Sequence, residues 1–176
     1  MGLPMQRILV IGSPGAGKST LAHALARRTG LPLHHLDRMH WLPGWVERDR
    51  AEGLDAVRQV LAQDRWIIDG NYGSSLPLRL ERADTVVWLD YPTWLCLGRA
   101  LKRWWQYRGQ SRPDMTEGCD ERLNLEFLLY IAQFRSAWRQ RNADALARFG
   151  GTVHRMSSPA ATERWLATLQ PPSPNA

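Results

Sequence analysis

An α/β fold, with a five-stranded parallel sheet carrying helices on both faces, is what this sequence of 176 residues predicts, on three observations. Short apolar runs alternate with amphipathic helical stretches, the pattern of parallel strands joined by right-handed helical crossovers. Several of those runs end in an acid, at Asp37, Asp69 and Asp90. The first run passes into a helix through Gly12-Ser13-Pro14-Gly15-Ala16-Gly17-Lys18-Ser19, a full match to the phosphate-binding pattern G-x-x-x-x-G-K-[ST].

Each element has its own justification. Arg7-Ile8-Leu9-Val10-Ile11 is apolar enough for a strand buried on both faces. Thr20 to Arg28 is the first helix, with Leu21 and Leu25 one turn apart and Gly30 suited to a left-handed end. Pro32 to Asp37 reads as the second strand, and Arg38 to Arg48, broken by Pro43-Gly44, as irregular. Asp49 and Glu52 form a capping pair for a helix whose apolar stripe is Leu54, Val57 and Leu61. Trp66-Ile67-Ile68-Asp69 is the third strand, Leu76 to Glu81 a short helix, and Thr85 to Asp90 the fourth strand. Pro92 opens a long amphipathic helix to about Tyr107, stopped by Gly109. Gln110 to Cys119 has no periodicity and is expected to be a mobile loop. A helical hairpin follows, carried by Phe127, Ile131, Phe134 and Trp138 and then by Ala143 to Phe149. Thr152 to Met156 is the fifth strand, and Ser158-Pro159 opens a last helix through Leu169. Residues 1–170 are expected to form one domain with a lid region at about 100–141, and 171–176 a disordered tail.

A chain of this length buries enough surface to need no disulfide or metal staple. Cys96 and Cys119 match no metal or redox spacing and suit a reducing cytoplasm; Cys96 reads as a core thiol, and Cys119, in a polar loop, as exposed. No run is long enough to cross a membrane and no signal peptide is visible, so the expected location is cytoplasmic. The net charge is +6, from 21 Arg and 2 Lys, which suits an anionic partner. DNA is one such partner, but the basic residues are spread along the chain without the block that a nucleic-acid arm needs. Small phosphates fit better.

The loop itself implies ATP and Mg²⁺. Glycines let successive backbone N–H groups of Gly12, Ser13, Pro14, Gly15, Ala16, Gly17 and Lys18 shape a cradle closed by Ser19 and Thr20 at a helix N-terminus (Pro14 contributes shape but no donor). Lys18 reaches the β- and γ-phosphates, and the Ser19 hydroxyl ligates the metal. Ligands of such sheets bind beyond the carboxyl ends of the strands, which puts Asp37, Asp69 and Asp90 on the same rim. Asp69 is the candidate for Mg²⁺, directly or through water, against a turn cap at Gly70. Asp37 is the candidate general base toward a hydroxyl acceptor, against a pairing with Arg38 or a turn role. Asp90 reads as a turn or helix-start acid. Arg99 and Arg103 share one helix side, and Arg108 and Arg112 follow toward the loop; together they suit a migrating phosphoryl group, against a merely solvated face.

With these residues in place, the chain from about Arg7 to Leu169 resembles the adenylate-kinase-like P-loop proteins, most closely the DNA topology modulation proteins. The resemblance rests on GSPGAGKST at Gly12–Thr20, LPLHHLD ending at Asp37, PGW at Pro43–Trp45, WIIDGNY at Trp66–Tyr72, RADTVVWLD at Arg82–Asp90 and RPDMTEGCDERL at Arg112–Leu123. It implies a P-loop kinase fold with a helical lid, Arg99 stacking on adenine and Arg103 contacting phosphate. The family's Asp-Gly-Phe-Pro-Arg corresponds to Asp69-Gly70-Asn71-Tyr72-Gly73, without the Arg; Arg79 is the candidate replacement. The expected protein is an ATP-dependent phosphotransferase of the nucleoside, nucleotide or small-molecule kinase type. Its catalytic residues would be Lys18, Asp37, Arg103 and Arg112, and its acceptor is unidentified. An ATP-switched regulator of DNA topology and a plain ATPase are the alternatives.

Overall fold

A computed structural model describes residues 5–110, 115–120 and 124–169. The chain runs β1 (Arg7–Gly12), α1 (Lys18–Thr29), β2 (Leu33–His35), α2 (Leu36–His40), β3 (Trp41–Leu42), β4 (Val46–Glu47), α3 (Arg50–Leu61), β5 (Trp66–Asp69), α4 (Leu76–Arg82), β6 (Thr85–Leu89), α5 (Thr93–Gln106), α6 (Leu125–Ala147), β7 (Thr152–Met156) and α7 (Pro159–Thr168). Five of the strands make one parallel sheet in the order β2-β5-β1-β6-β7. The strand that feeds the phosphate loop is therefore central. The order reverses beside it, which opens a crevice at its carboxyl end.

Alternation along the strands builds two cores. Ile8, Val10, Ile67, Val87 and Leu89 point to the face covered by α1 and α5, meeting Leu21, Leu25, Cys96 and Ala100. Leu9, Ile11, Trp66, Ile68, Val86 and Trp88 point to the other, meeting Val57, Val60 and Leu61 of α3. Both faces are dry, which is why these strands read as unbroken apolar runs.

The helices begin and end where capping chemistry allows. Asp49 accepts from the N–H groups of Ala51 and Glu52, and Asn124 and Ser158 cap α6 and α7 in the same way. Gly30, left-handed, closes α1 as the sequence predicts.

Several expectations are corrected. The second strand stops at His35, so Asp37 lies in the first turn of a five-residue helix and not at a strand end. The stretch read as irregular, Arg38 to Arg48, holds the last three residues of α2 and an antiparallel pair, Trp41 opposite Glu47 and Leu42 opposite Val46, turned by Pro43-Gly44. The expected helical hairpin is one helix of 23 residues, about 35 Å long. Its Ile131 joins the first core and its Leu146 the second, so it passes from one sheet face to the other.

The loop expected to be mobile is docked where the structure describes it. Thr116 Oγ1 donates to Trp41 O at 2.7 Å, Gly44 N to Gly118 O at 3.1 Å, and Trp45 Nε1 to Asp120 O at 3.0 Å. Residues 115–120 thus strap the β3–β4 turn, with Met115 and Cys119 buried; the expectation of an exposed Cys119 is wrong. Arg112 and the tail at 171–176 lie outside the described residues, as does part of the expected lid.

Candidate active site

The loop between β1 and α1 is shaped by backbone that only glycine tolerates. Gly15 has φ 80°, and a Cβ there would stand 2.2 Å from Cys96 O; at Gly12, φ 149°, it would stand 2.5 Å from Leu89 O. The loop therefore sits directly on α5 and β6. Arg99 fastens it from α5, its guanidinium donating to Ala16 O at 3.0 Å and lying over the Tyr91 ring.

Lys18 Nζ donates to Gly12 O at 3.0 Å and Ser13 O at 3.2 Å, which holds the ammonium inside the loop. Burial lowers its pKa, while Asp37 first and Asp69 second pull it back up, so both carboxylates face this ammonium. Arg103 bears on it as well and lies over the Phe127 ring of α6. The structure thus gathers Lys18, Asp37, Asp69, Arg99 and Arg103 around the phosphate loop.

The turn after β5 fixes the crevice wall, one residue for each job. Asp69 Oδ1 meets His35 Nδ1 at 2.7 Å, both side chains buried. Asn71 grips the phosphate loop twice, donating to Gly12 O at 2.7 Å and accepting from Gly12 N at 3.1 Å. Tyr72 donates its hydroxyl to Asp37 Oδ1 at 2.7 Å. Burial and the neighbouring Asp37 carboxylate push the Tyr72 phenol far up, so it stays protonated. Among the described residues, Asp37 Oδ2 accepts no hydrogen bond.

Arg79 organises this turn. Fully buried on α4, it donates to Gly70 O at 3.1 Å, Tyr72 O at 3.0 Å, Ser75 Oγ at 3.2 Å and also Asn71 O. Burial lowers its pKa to about 9, still above neutral, so it stays charged. It does not stand in for the crevice arginine of the adenylate kinases: its donors are turned into the backbone.

Asp90 also differs from its reading as a turn acid. It is buried at the end of β6 and takes Arg139 Nε at 3.0 Å, Arg155 Nε at 3.1 Å and Arg135 Nε at 3.4 Å. Burial raises the carboxyl's pKa, but the Arg155 and Arg139 hydrogen bonds outweigh it and hold the group below the usual carboxylate range. Arg135 and Arg139, four apart on α6, were missed by sequence reasoning, although that spacing is a legible sign of a shared face. His35, Asn71 and Tyr72 were quoted within motifs but given no role.

The cradle suits a triphosphate and its metal: glycine backbone that a Cβ would block, an ammonium held against two loop carbonyls, and a hydroxyl at Ser19 beside a helix N-terminus. Among the described residues no three His, Cys, Asp or Glu side chains form a metal cage. A Mg²⁺ held through one hydroxyl, phosphate oxygens and water needs none.

The loop matches the phosphate-binding pattern, and the five-stranded parallel sheet around it is the fold of solved shikimate kinases. Residues 8–68 match the model of the ATPase family associated with various cellular activities (AAA). Shikimate kinase from Bacteroides thetaiotaomicron has a similar structure, at 21% identity and TM-score 0.55, covering 93% of this chain and 95% of that one. Shikimate kinase from Acinetobacter baumannii in complex with shikimate is similar at 15% identity and TM-score 0.54, covering 91% and 88%. At these identities the likeness concerns the fold. No curated protein matches the chain.

Proposed function

We propose that the chain is an ATP-dependent phosphotransferase that moves the γ-phosphoryl group to a hydroxyl acceptor, with Asp37 as general base. The observation that carries this reading is the setting of Asp37. One oxygen is fixed by Tyr72, the other accepts no hydrogen bond among the described residues, and the carboxylate faces Lys18 of the phosphate loop. A group poised there can take a proton from an acceptor hydroxyl aligned with the γ-phosphate. An acceptor that is itself a phosphate would need no such base.

Mg·ATP, when bound, supplies the phosphoryl group and a cation that offsets its charge. The loop from Gly12 to Thr20 would hold the phosphates, Lys18 would stabilise charge on the migrating group, and Ser19 with Asp69 would serve the metal, Asp69 oriented by His35. Arg103 would add positive charge from α5, and Arg112, outside the described residues, is the further cation proposed for the migrating group. As the acceptor oxygen bonds to phosphorus and the bond to ADP breaks, the acceptor proton passes to Asp37 Oδ2.

Asp37→Asn tests this. It keeps the size and the Tyr72 contact but not proton acceptance, so acceptor-dependent ADP release should fall about a hundredfold while ATP affinity holds. Near-normal transfer with a monophosphate as best acceptor would overturn the reading. Equal loss of ATP binding and transfer would make Asp37 a structural or metal-serving residue.

A further inference from the structure

Beyond the phosphotransfer reading, and without depending on it, we infer that the groove between α4 and α6 is a second ligand site, which takes a nucleoside monophosphate. The groove has a volume of about 870 Å³, within the roughly 300–1,000 Å³ of cavities that hold small organic ligands. It lies against the second core, which Leu80, Ala83 and Phe149 of its lining join. Gly73, just past the crevice turn, marks one end, and Thr152 at the start of β7 the other. At Gly150 an added Cβ would meet nothing within 4 Å, so there is room at that end. None of the residues from which undescribed chain continues lines the groove, and two of them, Met5 and Leu169, pack on the first core, across the sheet.

Helix α6 and its C-terminal turn face the groove in three rows, each a pair seven residues apart and so on one side of the helix. Arg141 and Arg148 form the outer row, Trp138 and Ala145 the middle one, Asn142 and Phe149 the inner one. Exposure falls in the same order: the arginines are exposed, Trp138 and Ala145 half-buried, and Asn142 is 7% exposed. The amide of Asn142 carries the inference. Buried as it is, it forms no hydrogen bond with any described group. A buried amide without a partner is costly, and in a cavity wall it is met by the polar edge of a ligand. It offers a donor beside an acceptor, which complements the amino group and adjacent ring nitrogen of adenine.

The charges around the groove favour an anion at its rim. Arg141 and Arg148 line one side, Glu81 and Asp84 the other. Asp84 is already satisfied: it accepts from Gln6 N, Arg7 N and Thr85 Oγ1 and pairs with Arg7. Nearby, Arg82 and Arg139 are held by Leu61 O and Asp90, and Asp144 by Gln140. Arg141 lies over the Trp138 ring at 4.6 Å, which fixes the guanidinium through its flat face and leaves its N–H edge free. Neither Arg141 nor Arg148 donates to a carboxylate or carbonyl among the described residues, so two unmatched guanidiniums stand against the exposed Glu81. The carbonyls ending α6 oppose an anion beside Arg148, so Arg141, more than a turn inside the helix, is the stronger anchor. A ligand that meets both Arg141 and Asn142 crosses the middle row. A base joined to a phosphate spans that distance and a bare anion does not, while Pro77 and Leu80 of α4 supply the apolar wall opposite.

The test presents the full chain with AMP, adenosine and inorganic phosphate while a non-hydrolysable ATP analogue saturates the phosphate loop. Binding is read by calorimetry and from the indole N–H resonance of Trp138, assigned through Trp138→Phe. AMP should shift that resonance and bind at least tenfold more tightly than adenosine or phosphate alone. Arg141→Ala should weaken AMP at least tenfold with affinity for the ATP analogue unchanged, and Asn142→Leu should weaken AMP to a similar degree. Ala145→Phe, which fills the middle row, is the further variant should Asn142→Leu not fold, and it should abolish AMP binding. No AMP binding, displacement of AMP by the ATP analogue, parent-like AMP affinity in Arg141→Ala, or equal binding of adenosine or phosphate would each overturn the inference.

Discussion

Arg79 carries a charge into the protein where no carboxylate among the described residues meets it, and the backbone answers with carbonyls instead. That arrangement needs a planar fork, which Lys cannot supply. Arg79→Lys should therefore lose about 2–3 kcal/mol of stability, since each buried carbonyl left unmet costs about 1–3 kcal/mol; denaturant unfolding would measure it, and a loss below 0.5 kcal/mol would contradict the role. Loosening the turn should also release Tyr72 and Asn71. At this scale the sequence was partly legible. Lys18 and the glycines announce themselves because their chemistry is local, all within one loop. His35, Asn71 and Tyr72 act across 34, 59 and 35 residues of chain, and no spacing rule reveals such partners. Arg79 looked like a catalytic cation because its type was right and its direction could not be read.

Among elements, α6 joins the two sheet faces, and Asp90 is where it is pinned to the end of β6 and to β7. The pinning is ionic and titrates with Asp90. Its folded-state pKa is depressed, so the stabilisation is in place above the unfolded value near about 4 and is lost as pH falls through the lower folded value. Asp90→Asn should be less stable than the parent at pH 7, the gap closing in strong acid. A gap that stays constant from pH 7 to pH 2 would rule out this linkage. Because the arginines are about half exposed, added salt should narrow the gap too. Helix α6 was legible as helix from Phe127, Ile131 and Phe134, yet its length was not. Its apolar stripe serves the first core early and the second late, and a change of partner along a helix reads in sequence as two helices.

For the molecule as a whole, the charge of +6 is the property most open to a rival interpretation. Arg135, Arg139 and Arg155 converge on one carboxylate, and Arg99 lies on the phosphate loop. Duplex binding should consequently be weak, indifferent to sequence and steeply reduced by salt. Tight binding at physiological salt, in a filter or mobility assay, would favour the DNA-directed alternative over the kinase. The sheet was readable from the alternation of runs, since a strand buried on both faces has nothing polar to show. The β3–β4 pair was not: two residues per strand leave no period, and its order comes from the strap laid across it by residues 115–120.

That strap makes a thiol into a clock. Cys119 is sealed at 1% exposure, its Sγ donating to Leu42 O at 3.3 Å, so a water-borne alkylating reagent can reach it only while the strap is off the hairpin. When reclosing outpaces reaction, the labelling rate divided by that of a free thiol gives the fraction of molecules open, and hence the local opening free energy. With Cys96 replaced by Ala to silence the other buried thiol, labelling should slow severalfold when an ATP analogue and an acceptor are both bound. A rate indifferent to both would mean that the hairpin and its strap stay shut, or open, without regard to what the crevice holds.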